Sequence, residues 1–187
     1  MNTVWTLIFF LLLFYNQFSF AQSREDIRQV TAVYGEIATM LNKGKFDDLA
    51  RFIHPETGLV EVIDPVGVPY PIHHPNIGMA KLQGLFISAP AKNPEESSPP
   101  EFDCNIGMWT REGTFISEVK GYPLLISILP EASEVTYIDR KMRDLIEELS
   151  ENISVLVLTT DESVLGFFKK EGVWWLGLVD NSFNCVE

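Results

Sequence analysis

Two cysteines, three histidines and 14 Lys+Arg against 26 Asp+Glu mark what this 187-residue chain has little of. The cysteine count excludes a disulfide-dense miniprotein and a four-cysteine zinc module. The shortage of cations leaves a formal net charge of −12. That argues against nucleic acid and anionic membrane surfaces as partners, since affinity for both comes mostly from Lys and Arg. Local signatures of several enzyme classes are missing as well: there is no Gly-rich phosphate loop, no GxSxG elbow, no HExxH pair and no Cys–His pattern of family spacing. Charge is absent altogether from Met1 to Ala21, a stretch that holds five of the 13 Phe.

Within that stretch Val4 to Tyr15 is apolar or aromatic apart from Thr6. A core of this length suits a signal peptide and falls short of the roughly 20 residues of a membrane span. Ser19-Phe20-Ala21 places small residues three and one before the Ala21–Gln22 bond, as signal peptidase requires, and no Cys follows the cut to carry a lipid. Residues 1–21 are therefore read as a signal peptide and 22–187 as a single exported domain, periplasmic or extracellular, with no stable membrane insertion after cleavage. An uncleaved N-terminal anchor is the competing reading. The remaining 187 − 21 = 166 residues carry the whole charge and suffice to bury roughly two thirds of the domain's surface.

Ser23 and Asp26 have the spacing of a capping box at a helix start. Ile27, Val30, Tyr34, Ile37 and Leu41 then recur every three or four residues along one helical face, and Asn42-Lys43-Gly44 is a stop. A short helix is expected from Phe46 to Ile53, with Phe46, Leu49 and Ile53 inward, ended at His54 by Pro55. Leu59 to Asp64 reads as a strand and Asp64–Gly67 as a turn. Val68, Tyr70 and Ile72 form a second strand that Pro69 and Pro71 confine to a sheet edge. Asn76 to Phe86 is expected to be helical. The proline-rich stretch 89–101 reads as a surface loop with no hydrophobic reason to pack. Phe102–Trp109 and Thr114–Val119 are expected to pair as a hairpin, and Pro123–Leu129 to form one short helix. Ile138, Met142, Leu145, Ile146 and Leu149 mark an amphipathic helix. Ile153–Thr160, Val164–Lys170 and Val173–Val179 are β-rich runs joined by short turns. Helices in front and an antiparallel meander behind predict an α+β fold, with helices on one face of a curved antiparallel sheet.

Three groups of residues could carry chemistry. His54, His73 and His74 cluster in sequence, but adjacent strand residues point to opposite faces, so His73 and His74 cannot both reach one ion, and no metal site is assigned. Glu56, Glu61, Asp64, Asp103 and Asp180 are the carboxylates to weigh beside them. An acid/base site drawn from Asp64, His73 and Asp103 is the catalytic candidate, because a buried carboxylate beside a histidine tunes both groups toward neutral pH. Trp109, Trp174 and Trp175, with Phe167 and Phe168, fall on expected strands. Trp174 and Trp175 must face opposite sides, one in the core and the other free to line a cavity or partner surface. In an oxidising compartment Cys104 and Cys185 are expected to form one disulfide, worth about 4.5 kcal/mol in the chain-entropy picture; two free thiols are the alternative. Asn152-Ile153-Ser154 fits the glycosylation sequon of a eukaryotic secretory pathway.

Phe167-Phe168-Lys169-Lys170-Glu171-Gly172-Val173-Trp174-Trp175-Leu176 resembles the closing strands of NTF2-like (SnoaL-like, cystatin-like cone) domains, with their basic strand end, Gly turn and Trp. A long helix followed by a short one ending in Phe52-Ile53-His54-Pro55 suits the same family, and Phe52 to Gly58 is similar to a motif of exported bacterial proteins of this type. The Phe20-Ala21-Gln22 context is similar to exported Bacteroidetes-type proteins. The resemblance implies a cone: a curved antiparallel sheet around helices, enclosing a pocket. Such domains serve as isomerases, cyclases, dehydratases, non-catalytic binders and dimerisation modules, so fold alone does not give function. The Tyr/Asp and His/Asp arrangements of the enzymatic members have no counterpart here. The expectation is a non-enzymatic exported domain, without cofactor, that binds a small apolar ligand or an envelope protein partner and is open to homodimerisation. The alternatives are a small-molecule lyase, isomerase or hydrolase with a carboxylate in the cone pocket, and an envelope interaction module with a filled pocket.

Overall fold

The computed structural model describes residues 3–65, 67–78, 93–103, 105–160 and 163–182, with side chains from Ser23 onward, that of Phe46 excepted. Both cysteines, the span 79–92 that holds most of the helix expected at 76–86, and the turn residues 161–162 lie outside the described residues; Asn76 to Gly78 are not helical.

Helix α1 runs from Thr3 to Asn42 without a break, so no helix begins at Ser23. The expected capping pair is used otherwise: the Ser23 hydroxyl donates to Glu118, and Asp26 accepts from Lys169 Nζ at 2.8 Å. The far end stops where expected. Gly44 takes φ +66°, and the N–H groups of Gly44 and Lys45 return to the carbonyls of Leu41 and Met40, closing the last turn in a left-handed cap. A short 3-10 helix, Phe46–Phe52, follows and ends one residue early, because Ile53 is already extended.

The strands are β1 (Leu59–Ile63), β2 (Tyr70–His74), β3 (Glu95–Glu96), β4 (Phe102–Asp103), β5 (Met108–Trp109), β6 (Thr114–Glu118), β7 (Ile153–Thr159), β8 (Ser163–Lys170) and β9 (Val173–Asp180). Three helices lie between β6 and β7: α2 (Leu124–Ser127), α3 (Leu129–Val135) and α4 (Arg140–Asn152). The one helix expected over Pro123–Leu129 is thus two short ones. Seven strands form a sheet in the order β2-β1-β9-β8-β7-β6-β3, while β4 and β5 pair apart from it. The expected pairing of Phe102–Trp109 with Thr114–Val119 does not occur. Phe102–Trp109 folds back on itself, and β6 pairs with β7. The fold is α+β, with a mixed, mostly antiparallel sheet: β1 runs parallel to β9 and β3 parallel to β6. Of the stretch 89–101, read as a surface loop, residues 93–101 are described; they are mostly exposed and include the two-residue strand β3. Arg111 fastens this segment to β6 through Glu95 and the Ser98 carbonyl, with its guanidinium 4.7 Å from the Phe115 ring centre, and Pro100 is buried.

The sheet is covered on both faces, not one. Ile27, Val30, Tyr34 and Ile37 of α1 pack on Val155, Phe167 and Leu176. On the other side Leu125, Leu129, Ile146 and Leu149 of α2–α4 pack on Leu156, Phe168 and Leu178. Burial on both faces explains why β7, β8 and β9 read as nearly unbroken apolar runs. Alternation lets each strand serve both cores, and two bulges, one on β7 and one on β9, reset it. The register slips between Ile153 and Val155 on β7, and at Gly177, where Gly166 pairs with Leu178 but Phe167 with Leu176. Each slip moves the following residues to the opposite face. The β8–β9 turn places Glu171 (φ +54°) and Gly172 (φ +80°) both left-handed, the geometry that matches strand twist in a two-residue hairpin.

At the end of β9, Asp180 is 2% exposed and fully engaged. Its carboxylate accepts from the Tyr122 hydroxyl at 2.7 Å and from the Ser182 N–H and hydroxyl. Burial, then the Asp180 charge and hydrogen bond, hold the Tyr122 phenol far above its ordinary value of 10. Burial raises the Tyr34 phenol too, with Thr114 opposing.

Raised phenols release their protons more readily from the unfolded chain. Their contribution to stability is therefore complete below about pH 10 and falls away as pH climbs further. An alkaline titration followed by tyrosinate absorbance should show Tyr34 and Tyr122 ionising only as the protein unfolds, whereas the Tyr34→Phe/Tyr122→Phe double variant should lose that late step. A Cβ on Gly177 would stand 2.7 Å from both Leu149 Cδ1 and Phe168 Cδ1. Gly177→Ala should thus cost about 1–3 kcal/mol in urea unfolding, while Gly78→Ala, with nothing within 4 Å, should be close to neutral.

Candidate binding groove

The turn His54-Pro55-Glu56-Thr57-Gly58 is built around an imidazole. His54 Nδ1 accepts from the N–H groups of Glu56 and Thr57, each at 3.3 Å, and lies 3.2 Å from the Thr57 hydroxyl. Backbone N–H groups can only donate, so Nδ1 carries the lone pair. The turn closes with Gly58 N–H on the His54 carbonyl at 2.8 Å. Gly58 sits at φ +70°, and a Cβ there would meet the His74 carbonyl at 2.6 Å. The His54 ring packs edge-on against Trp175, centroids 5.1 Å apart.

Strand β2 lies beside this turn. His73 Nε2 donates to the Thr57 carbonyl at 2.8 Å. His74 is buried and faces the other way, its Nε2 2.8 Å from Glu61 Oε2, with Asn181 Nδ2 on the second carboxylate oxygen at 3.4 Å. His54 and His73 thus both bond to Thr57 while His74 bonds to Glu61, and among the described residues no group of His, Cys, Asp and Glu is placed to hold a metal.

Between β2, the His54–Gly58 turn and helix α4 lies an open groove of about 450 Å3, with Pro71, Ile72 and His73 on one wall and Ile138, Met142 and Leu145 on the other. A second basin of about 160 Å3 continues along α4 past Leu145 to Phe168 and Asn152. Helix α4 is fixed in place by Asp139, whose side chain caps its start through the Met142 N–H at 2.7 Å. Charged groups stand at the rim: Glu56 pairs with Lys170 at 3.3 Å, and Lys141 and Glu148 project from α4.

Of the catalytic candidates, only His73 lines this groove. Val60 is the register partner of His73, so Asp64, four residues on, sits about 13 Å further along the hairpin. Asp103 lies in the separate β4–β5 pair, where its carboxylate accepts from the Asn105 N–H at 2.9 Å and shapes the turn. No acid/base constellation assembles from Asp64, His73 and Asp103. The tryptophans divide as well. Trp174 is in the α1-side core, its indole N–H donating to Gln29 at 3.0 Å. Trp175 packs on the α4 side, its Nε1 buried without a hydrogen-bond partner among the described residues. Trp109 stacks edge-on with Phe102 at 5.1 Å in the small hairpin. The groove residues Met142 and Leu145 appear in the sequence only as part of an amphipathic stripe, and nothing in that stripe separates a groove wall from a core contact.

If His54 organises the turn that borders the groove, His54→Ala should lower stability by about 1–2 kcal/mol through lost packing and unpaired N–H groups. The protection of the Glu56 and Thr57 amides against hydrogen exchange should fall with it, while the β8–β9 amides stay protected.

No family model, curated protein or solved structure matches the chain.

Proposed function

We propose that the protein is a non-enzymatic exported binding domain that holds its ligand in the groove between β2 and α4. The carrying observation is the contrast between a sheet whose two faces are both filled by core side chains and an open, half-apolar groove of about 450 Å3 beside an edge strand. Ligand sites are concave and combine apolar walls with placed polar groups, and the groove has apolar walls at Ile72, Ile138, Met142 and Leu145 with His73 and Lys141 beside them. Export rests on the uncharged leader and its Ala21–Gln22 site.

The NTF2-like kinship belongs to the same proposal. The long helix, the short helix, the β1–β2 hairpin and the closing β7–β9 strands support it in their order. The helices α2–α4 depart from the simple cone by covering the second face. A second reading, an envelope interaction module, draws on the exposed Phe102, Ile106 and Met108 of the β4–β5 hairpin.

Thermal-shift and calorimetric screens of a metabolite set and a random peptide library against the purified protein should yield ligands. Their affinity should fall about tenfold or more in Ile72→Glu and in Met142→Glu, each introducing a charge on a groove wall. Ligands indifferent to both changes but lost in Ile106→Glu would transfer the function to the hairpin. Silence across both collections would remove the groove from consideration.

A further inference from the structure

Resting on the groove as the binding site, we infer that its occupant is an extended peptide segment in the polyproline II conformation, carrying a carboxylate and a cation three residues apart, with apolar residues between them. Shape comes first. The two basins share Leu145 and lie end to end along α4, from Asp139 to Asn152. Thirteen helical residues advance about 20 Å, the span of roughly six extended residues. The site is therefore long and shallow, suited to a chain rather than a compact molecule.

Charge gives the pattern. Most ionic groups around the basins are already engaged. Glu56 holds Lys170, Lys169 holds Asp26, and Asp139 caps α4. Two exposed side chains make no ion pair or side-chain hydrogen bond among the described residues: Lys141 at the larger basin and Glu148 at the smaller. They are seven residues apart, two turns of one helix, so they stand on one face about 10 Å from each other. In the polyproline II conformation residues three apart return to one face and lie about 9 Å from each other, which matches this spacing. Met142 and Leu145 lie between them on α4, both half-buried and both lining the groove.

The held segment does not join the sheet. Pro71 occupies the middle of β2 and has no N–H to offer, so main-chain pairing along this edge is interrupted. Recognition rests on side chains, with apolar residues over Ile72, Met142 and Leu145, and with opposite charges at Lys141 and Glu148. Because the two rim charges differ in sign, chain direction is set by which end carries the acid.

The test uses the purified protein and blocked synthetic hexapeptides in which two Val separate an Asp from a Lys, compared with the Asp/Asp, Lys/Lys and Asn/Gln versions. The Asp/Lys peptide should bind about fivefold or more tightly than each of the others, since two rim charges act together. In Lys141→Glu the preference should pass to the Lys/Lys peptide, and in Glu148→Lys to the Asp/Asp peptide. Lys43→Glu, on the α1 side, should leave the ranking unchanged. Equal binding of all four peptides, or a ranking that ignores both rim variants, would overturn the charge pattern. If none of the peptides binds while small molecules from the screens do so in a manner sensitive to Met142→Glu, the extended-peptide inference fails and the groove remains the site.

Discussion

Burial of β7, β8 and β9 on both faces is the constraint from which the rest of the molecule follows. A strand can serve two cores only if its alternation is adjusted wherever the layers on either side fall out of step. Here the adjustment is made at Ser154 and at Gly177, where one strand carries an unpaired residue. Gly177 is placed where Leu149 of α4 and Phe168 of β8 come within reach of a missing side chain, so the helix seats directly on the sheet.

The same constraint explains what could be read from the residues. Apolar runs, turn residues and the 3.6-residue stripe of α1 are local signals, and they located β7–β9, the Gly44 stop and α4 within a few positions. The partner of a strand is not a local property. Phe102–Trp109 and Thr114–Val119 look like neighbours in a hairpin, yet Asp103 turns the first segment back on itself and β6 finds β7 across three intervening helices. The second helical layer was missed for a similar reason, since an amphipathic helix announces that it has a buried face and not which surface it covers.

The site was less legible than the fold. Histidine attracts attention as a ligand or base, but His54, His73 and His74 serve mainly as hydrogen-bonding parts of a turn and a strand end. The spacing could not reveal this, because each partner is set by the way the loop 54–58 lies against β2. His73 does reach the groove, while Asp64 and Asp103 are carried elsewhere by hairpin register and by a separate pair of strands. The useful groove residues are ordinary ones, a Pro, two Ile, a Met and a Leu, whose importance comes from position rather than chemical type.

The uninterrupted helix α1 bears on the processing proposed for this chain. The proposed cut after Ala21 would make a helix that begins within a residue or two of Ser23. Its opening turn would hold Glu25 and Asp26 at the positive end of the peptide dipoles, where carboxylates are favoured. Asp26 is already tied to Lys169 and Ser23 to Glu118, so the freshly made end would be fastened to the sheet from the moment of cleavage. Processing would leave a finished terminus rather than a frayed one.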